Sequence, residues 1–138
     1  MRGVTLWIGV AMLSMLPSTA LPCVCATNSF HDEFKKAAAV FVGEVTSFRT
    51  IDESRSVAQV KVLRFWKGRE SPEQLEILTD RPGNSNCSGV LAKGTYLIYA
   101  CKEGQWLATW PCMRTRLLKD AGEDLKALGA GRVPRGPR

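Results

Sequence analysis

Histidine is nearly missing from this chain: His31 is the one imidazole among 138 residues. A histidine-based metal centre is therefore hard to assemble. With no nucleophile elbow and no paired carboxylates at a suggestive spacing, no acid/base or nucleophilic constellation can be named. The chain does not read as an enzyme, and no cofactor is expected. Long apolar runs are equally scarce after the first twenty residues, so no later segment is suited to cross a bilayer as a helix. Internal repeats are absent, and no low-complexity stretch precedes the C-terminal tail.

What is present begins with "MRGVTLWIGVAMLSMLPSTA". One positive charge at Arg2, an uncharged stretch from Gly3 to Leu16, then Pro17 and small residues to Ala20 make the three regions of a secretory signal peptide over 1–20. Its apolar part is too short for a membrane span. Cleavage after Ala20 would leave Leu21 first, and Pro22 is a poor neighbour for a lipidated cysteine. The expectation is a secreted protein, extracellular or periplasmic, without a stable membrane anchor. Residues 21–129 suffice for one domain and are too few for two. The net charge of +6 includes Arg132, Arg135 and Arg138 in the tail 130–138, "GRVPRGPR" with its preceding alanine, which is expected to be disordered. Those arginines serve solubility first, with weak polyanion contact as the sharper reading.

All five cysteines, Cys23, Cys25, Cys87, Cys101 and Cys112, fall after the leader. In an oxidising compartment a small domain uses them chiefly as disulfides. If 22–26 is extended, the side chains of Cys23 and Cys25 lie on one face about 7 Å apart, too far and too parallel to bond to each other. Each then needs a distant partner among the later three. "TYLIYACKEGQWLATW" reads as a hairpin turning near Glu103-Gly104, with Cys101 opposite Trp106 and Cys112 level with Thr95. That separates Cys101 and Cys112 by about 20 Å, and Cys101 is the expected free thiol. A soft-metal clamp of Cys23, Cys25 and His31 lacks a fourth ligand, so no intrinsic metal site is expected.

Asn28 or Ser29 can cap a short helix to about Ala38, with Asp32 and Glu33 in its first turn, Lys35 and Lys36 near its end, and Phe30, Phe34 and Ala37/Ala38 as its buried stripe. "AAVFVGEVTSF" follows as a strand whose Gly43 marks a bulge or sharp bend. "SVAQVKVLRFWKG" alternates, with Val60, Val62, Arg64 and Trp66 on one face and Lys61, Leu63 and Phe65 on the other. "QLEILTD" is a short strand, and "RPGNSNCSG" a loop carrying Cys87. After the hairpin, Leu117/Leu118, Ala121, Leu125 and Leu128 keep helical spacing up to Gly129. The fold class expected is mainly β: a five-stranded Greek-key barrel of the OB type with a short N-terminal helix and a C-terminal helix, stapled by disulfides.

Cys-x-Cys after a leader, then "AAAVFVGEV", "FWKG", "NCSG", "GTYLIYA" and "WPCMRTRLL", resembles in order and spacing the tissue inhibitors of metalloproteinases and the wider netrin-like group, from Cys23 to about Leu128. The compact form is more similar to the single-domain prokaryotic members than to the two-domain animal inhibitors. The resemblance implies Cys23–Cys87 and Cys25–Cys112 disulfides, with Cys101 left free. It also implies a binding edge at Cys23, Val24 and Cys25. There the α-amine and carbonyl of Cys23 would chelate a target protease's zinc, and Val24 would enter its specificity pocket. Cleavage after Ala20 leaves Leu21-Pro22 ahead of Cys23, whose nitrogen is then an amide unable to chelate. Trimming of that dipeptide would restore the amine.

Two functions follow: an exported metalloendopeptidase inhibitor, or an extracellular netrin-like interaction or adhesion module whose disulfides are purely structural. The expected partner in either case is a protein, and under the inhibitor reading it is a zinc metalloprotease. Single-stranded nucleic acid, with Trp66, Trp106 and Trp110 as stacking platforms, is disfavoured by export and by the preference of strand aromatics for cores.

Overall fold

The run "AVFVGEVTSFRT" opens with five consecutive buried residues, Ala39 to Gly43, as a strand covered on both faces requires. The computed structural model describes residues 25–26, 28–69, 72–82 and 90–135. In chain order they form α1 (Phe30–Lys36), β1 (Ala39–Thr50), β2 (Arg55–Lys67), β3 (Gln74–Asp80), β4 (Gly94–Glu103), β5 (Trp106–Ala108), β6 (Arg116–Leu117), a 3-10 turn (Leu118–Asp120) and α2 (Gly122–Leu128).

β1 pairs antiparallel with both β2 and β4, and the order β1-β2-β3-β5-β4 therefore returns to β1 and closes a five-stranded barrel. Closure removes the open edges that a flat sheet would expose. β3 and β5 meet in parallel at Ile77–Leu107 and Leu78–Ala108. The two-residue β6, absent from the sequence expectation, takes the free edge of β4 at Tyr96 and Leu97.

The barrel interior is packed by residues such as Phe41, Val45, Val60, Val62, Phe65, Ile77, Tyr96 and Ile98, with Leu91 from the β3–β4 connection. β1 and β4 are buried on their outer faces too. Val40, Val42, Leu97 and Tyr99 lie under Phe34 of α1 and Leu118, Leu125 and Leu128 of the C-terminal segment. A third cluster, Val57, Leu78 and Ala108, is covered outside by Trp106, Trp110 and Cys101.

Ser29 caps α1, its Oγ accepting from the Asp32 N–H at 3.1 Å. At the other end Lys67 Nζ donates to the carbonyls of Phe34 (2.6 Å) and Lys35 (3.1 Å), so the end of β2 closes the helix C-terminus with a cation. The buried stripe of α1 differs from expectation. Glu33 and Ala37 are buried, whereas Phe30 and Phe34 are half-buried. Residues 33 and 37 stand one turn apart and face β4, and the seven-residue helix leaves both phenylalanines at its margin.

Gly43 does sit at an irregularity: the β1–β2 register shifts between Val42 and Gly43. A Cβ at Gly43 would come 2.2 Å from Val60 Cγ1, so only glycine admits this close approach. The same irregularities correct the faces assigned to β2. Val42 pairs with Arg64 and Gly43 with Val62, while Phe41 pairs with Phe65 and Val40 with Lys67. Leu63 and Trp66 are thus extra residues in the ladder, and the alternation changes phase after Val62. Phe65 consequently joins Val60 and Val62 inside, and Arg64 is exposed.

The β4–β5 hairpin also differs in register. Glu103 pairs with Trp106 across Gly104-Gln105, which puts Cys101 opposite Ala108 instead of Trp106. Gly104, at φ +58°, permits the tight two-residue turn. β5 ends at Ala108, so Cys112 leaves the ladder and does not stand level with Thr95.

Gly129, at φ +77°, ends α2 as expected, its N–H bonding to the Leu125 carbonyl. Beyond it the chain runs back to β2 as far as Arg132. Phe65 and Arg132 exchange two backbone hydrogen bonds of 2.8 Å, using the edge of β2 that β3 is too short to cover. Arg64 Nη1 donates to the Ala130 carbonyl and Trp66 Nε1 to that of Gly129.

Candidate functional site

Cys25 is the first described residue, and it is bonded to Cys112 with a Cα–Cα separation of 5.2 Å. Cys112 has φ +70°, a left-handed conformation that aims its side chain back at the N-terminal strip from the turn after β5. Two residues further along, Arg114 takes a second hold. Its Nη1 donates to the Asn28 carbonyl at 2.7 Å. The strip between Cys25 and the cap of α1 is therefore fastened at both ends to the 112–114 segment.

Arg114 is itself fixed from below. Its Nε donates to Asp124 Oδ2 at 2.9 Å and its Nη2 to Asp124 Oδ1, the two-pronged geometry favoured by guanidinium and carboxylate. Asp124, 1% exposed, also accepts from Tyr99 Oη at 2.7 Å. Thr115 Oγ1 continues the network: it accepts from the Tyr99 N–H at 2.9 Å, lies 3.2 Å from the Tyr99 carbonyl and is 2.7 Å from Thr109 Oγ1. β4, the 109–115 turn, α2 and the N-terminal strip are joined by this one polar cluster.

Its electrostatics follow from the contacts. Burial pushes the Asp124 carboxyl up, but the hydrogen bonds from Arg114 and Tyr99 outweigh it and hold the group below its ordinary value. Burial, reinforced by the neighbouring Asp124 carboxylate, pushes the Tyr99 hydroxyl well above its ordinary range. The Asp124 hydrogen bond raises the already high Arg114. The cluster is a neutral phenol on a fixed ion pair over the titration range of most proteins.

Of the residues singled out from sequence, Cys25 lies in this strip, half-buried. Cys23, Val24, Cys87 and Arg138 lie outside the described residues, as does the leader. Cys101 carries a free thiol beside the outer cluster, 3.5 Å from the Ala108 carbonyl, with burial raising its pKa. His31 is exposed on α1, edge-on to Phe30. Among the described residues no three His, Cys, Asp or Glu side chains converge as metal ligands. Trp66 and Trp110 are half-buried with their indole N–H groups bonded to Gly129 O and Glu103 Oε2. Arg132 and Arg135 are exposed.

Sequence reasoning did not reach Arg114, Asp124 and Tyr99. The signal available was an arginine two residues past a cysteine in "CMRTR" and an acid on the inner side of the helix "GEDLKAL", each ordinary in isolation. No protein-family model matches the sequence, and no curated protein matches it.

Proposed function

We propose that this protein is an exported inhibitor of a zinc endopeptidase, of the metalloproteinase-inhibitor and netrin-like type, acting through the edge formed by Cys23, Val24 and Cys25. One observation carries the reading: the strip that leads into this edge is fastened at Cys25 by the bond to Cys112 and at Asn28 by Arg114. A binding edge held in one conformation before encounter loses less entropy on docking. The strand order β1-β2-β3-β5-β4, closing on β1, supports the OB-type Greek-key assignment. Export is supported by the leader-like pattern of residues 1–20 and by the disulfide. Among the described residues, no helix is long and apolar enough to cross a membrane.

In this reading a chain beginning at Cys23 offers an amine with a pKa near 8, partly neutral at physiological pH. The amine and the Cys23 carbonyl chelate the target's zinc and displace the water that would attack substrate. Val24 fills the adjoining specificity pocket. A chain beginning at Leu21 has only an amide there and does not chelate. The test compares purified forms beginning Leu21-Pro22-Cys23 and Cys23 against a panel of zinc endopeptidases. Inhibition by the Cys23 form alone, abolished by acetylating its amine, supports the proposal. Potent inhibition by the Leu21 form would assign binding to another surface, and inactivity of both forms would favour the adhesion-module reading.

A further inference from the structure

The barrel is packed along most of its length, yet at one end the packing stops short. A cavity of about 500 Å³ opens where β1 begins, β2 ends, β3 begins and the β4–β5 hairpin turns. Voids in protein interiors rarely exceed a water molecule, whereas ligand sites occupy about 300–1,000 Å³ and favour the mouths of β-barrels.

The lining is two-sided in character. Its inner part is apolar: Phe65, 1% exposed, with Ala39, Leu75 and Leu107. The small side chains of Ala38 and Ala39 leave room that larger residues would fill. Gly68 keeps the Phe65 ring in place, because a Cβ there would stand 2.4 Å from Phe65 Cζ. The outer part carries Arg69 and Lys102, both exposed, and no acidic side chain is among the described lining residues. Arg114, Arg55 and Arg49 are each ion-paired elsewhere, but the side chains of Arg69 and Lys102 have no ion pair or hydrogen bond among the described residues. The lip is completed by Gln105 and Trp106. Trp106 differs from Trp66 and Trp110 in that its indole N–H has no partner among the described residues.

We infer that this barrel mouth is a binding site for a small amphipathic carboxylate, such as a medium-chain fatty acid or an aromatic acid. The apolar body enters against Phe65, Leu75 and Leu107, and the carboxylate stays at the lip between Arg69 and Lys102. Arginine matches a carboxylate in a two-pronged fashion and lysine adds a point charge. An organic cation of the same shape is repelled by both. An uncharged chain gains the burial and forgoes the charged contacts.

Titration calorimetry on the disulfide-bonded protein with octanoate, 1-octanol and acetate tests the assignment. Octanoate is expected to bind one to one, about tenfold or more tighter than 1-octanol, with acetate silent. The Arg69→Ala/Lys102→Ala variant, altered at two exposed positions, should lose about tenfold for octanoate and leave 1-octanol unchanged. Leu75→Trp, which fills the cavity, should abolish both, with near-ultraviolet circular dichroism reporting that the fold is retained. No saturable octanoate binding, equal affinity for the acid and the alcohol, or full octanoate affinity in the double-alanine variant would each overturn the site.

Discussion

Arg114 grips Asp124 through two guanidinium nitrogens, and its remaining terminal nitrogen reaches the Asn28 carbonyl, 86 residues away in sequence. One side chain thus couples α2 to the N-terminal strip. The coupling is local in space and cannot be deleted without leaving polar groups behind.

Asp124→Ala is expected to be costly. It removes the acceptor for both Arg114 and the Tyr99 hydroxyl, and breaking a buried pair by removing one partner costs on the order of 3 kcal/mol. Urea unfolding measures it. Amide exchange near Asn28 and Ser29 should accelerate in the same variant while the Cys25–Cys112 bond stays intact. A loss under about 1 kcal/mol would mean that water replaces the network at little cost.

The same cluster sets a pH window. Asp124 titrates lower in the folded than in the unfolded state, so its stabilisation is present above the ordinary carboxylate pKa and is lost as pH falls through its folded value. Tyr99 titrates higher when folded, so its stabilisation is complete below about pH 10 and is lost as pH rises beyond that. Stability should therefore fall on both sides of a broad plateau. Tyr99→Phe should flatten the alkaline limb, and an unaltered alkaline limb in that variant would contradict the assignment.

How far the sequence disclosed this architecture can be argued from particular residues. Gln74–Asp80 lies between Ser71-Pro72 and Pro82-Gly83 in the sequence and holds a short apolar run at Ile77-Leu78, so β3 is legible from end to end. Gly43 announces an irregularity by its mere presence in a strand. The two ladder insertions at Leu63 and Trp66 announce nothing, because a bulge is defined by the partner strand, and strict alternation therefore puts Phe65 on the face opposite to the one it takes. The hairpin register failed similarly: Glu103-Gly104 and Gly104-Gln105 are equally plausible turns locally, and the choice between them moves the partner of Cys101 by two residues. The cluster around Arg114 is illegible in sequence because the partners of that arginine, Asp124 and Asn28, lie 10 and 86 residues away and none is unusual alone. The edge at Cys23 and Val24 lies outside the described residues and rests on the sequence pattern.

The Cys25–Cys112 bond spans 87 residues of chain. Loop-entropy reasoning assigns a crosslink of that span on the order of 4 kcal/mol. Cys25→Ser/Cys112→Ser should lower the unfolding free energy by roughly that amount, read from denaturant midpoints at unchanged slope. A shift under about 1 kcal/mol would place the fastening of the strip on Arg114 instead.

Cys101 should react slowly. Burial raises its pKa, and the neighbouring Glu103 and Glu33 carboxylates raise it further, so little thiolate is present at neutral pH. Iodoacetamide labelling followed by peptide mapping is expected to modify Cys101 far more slowly in the folded protein than after denaturation. Glu103→Gln should speed the reaction modestly. Labelling at equal rates in the two states would show that the outer cluster does not shield the thiol.

Gly43 offers the sharpest test of the barrel geometry, because it can be paired with an internal control. An alanine Cβ there would lie 2.2 Å from Val60 Cγ1 and 3.2 Å from the Lys61 carbonyl, both within the packed β1–β2 ladder. Overpacking of this kind costs about 1–3 kcal/mol, since neither the barrel core nor the ladder can yield without shifting neighbours. Gly122, the first residue of α2, has open space at its Cβ position and no positive φ. Gly122→Ala should therefore be neutral or stabilising by up to about 1 kcal/mol, through the lower entropy of the unfolded chain. Guanidinium unfolding of the two variants side by side decides the matter. If Gly43→Ala is as stable as Gly122→Ala, the close approach of β1 to Val60 does not exist and the bulge assigned there is wrong.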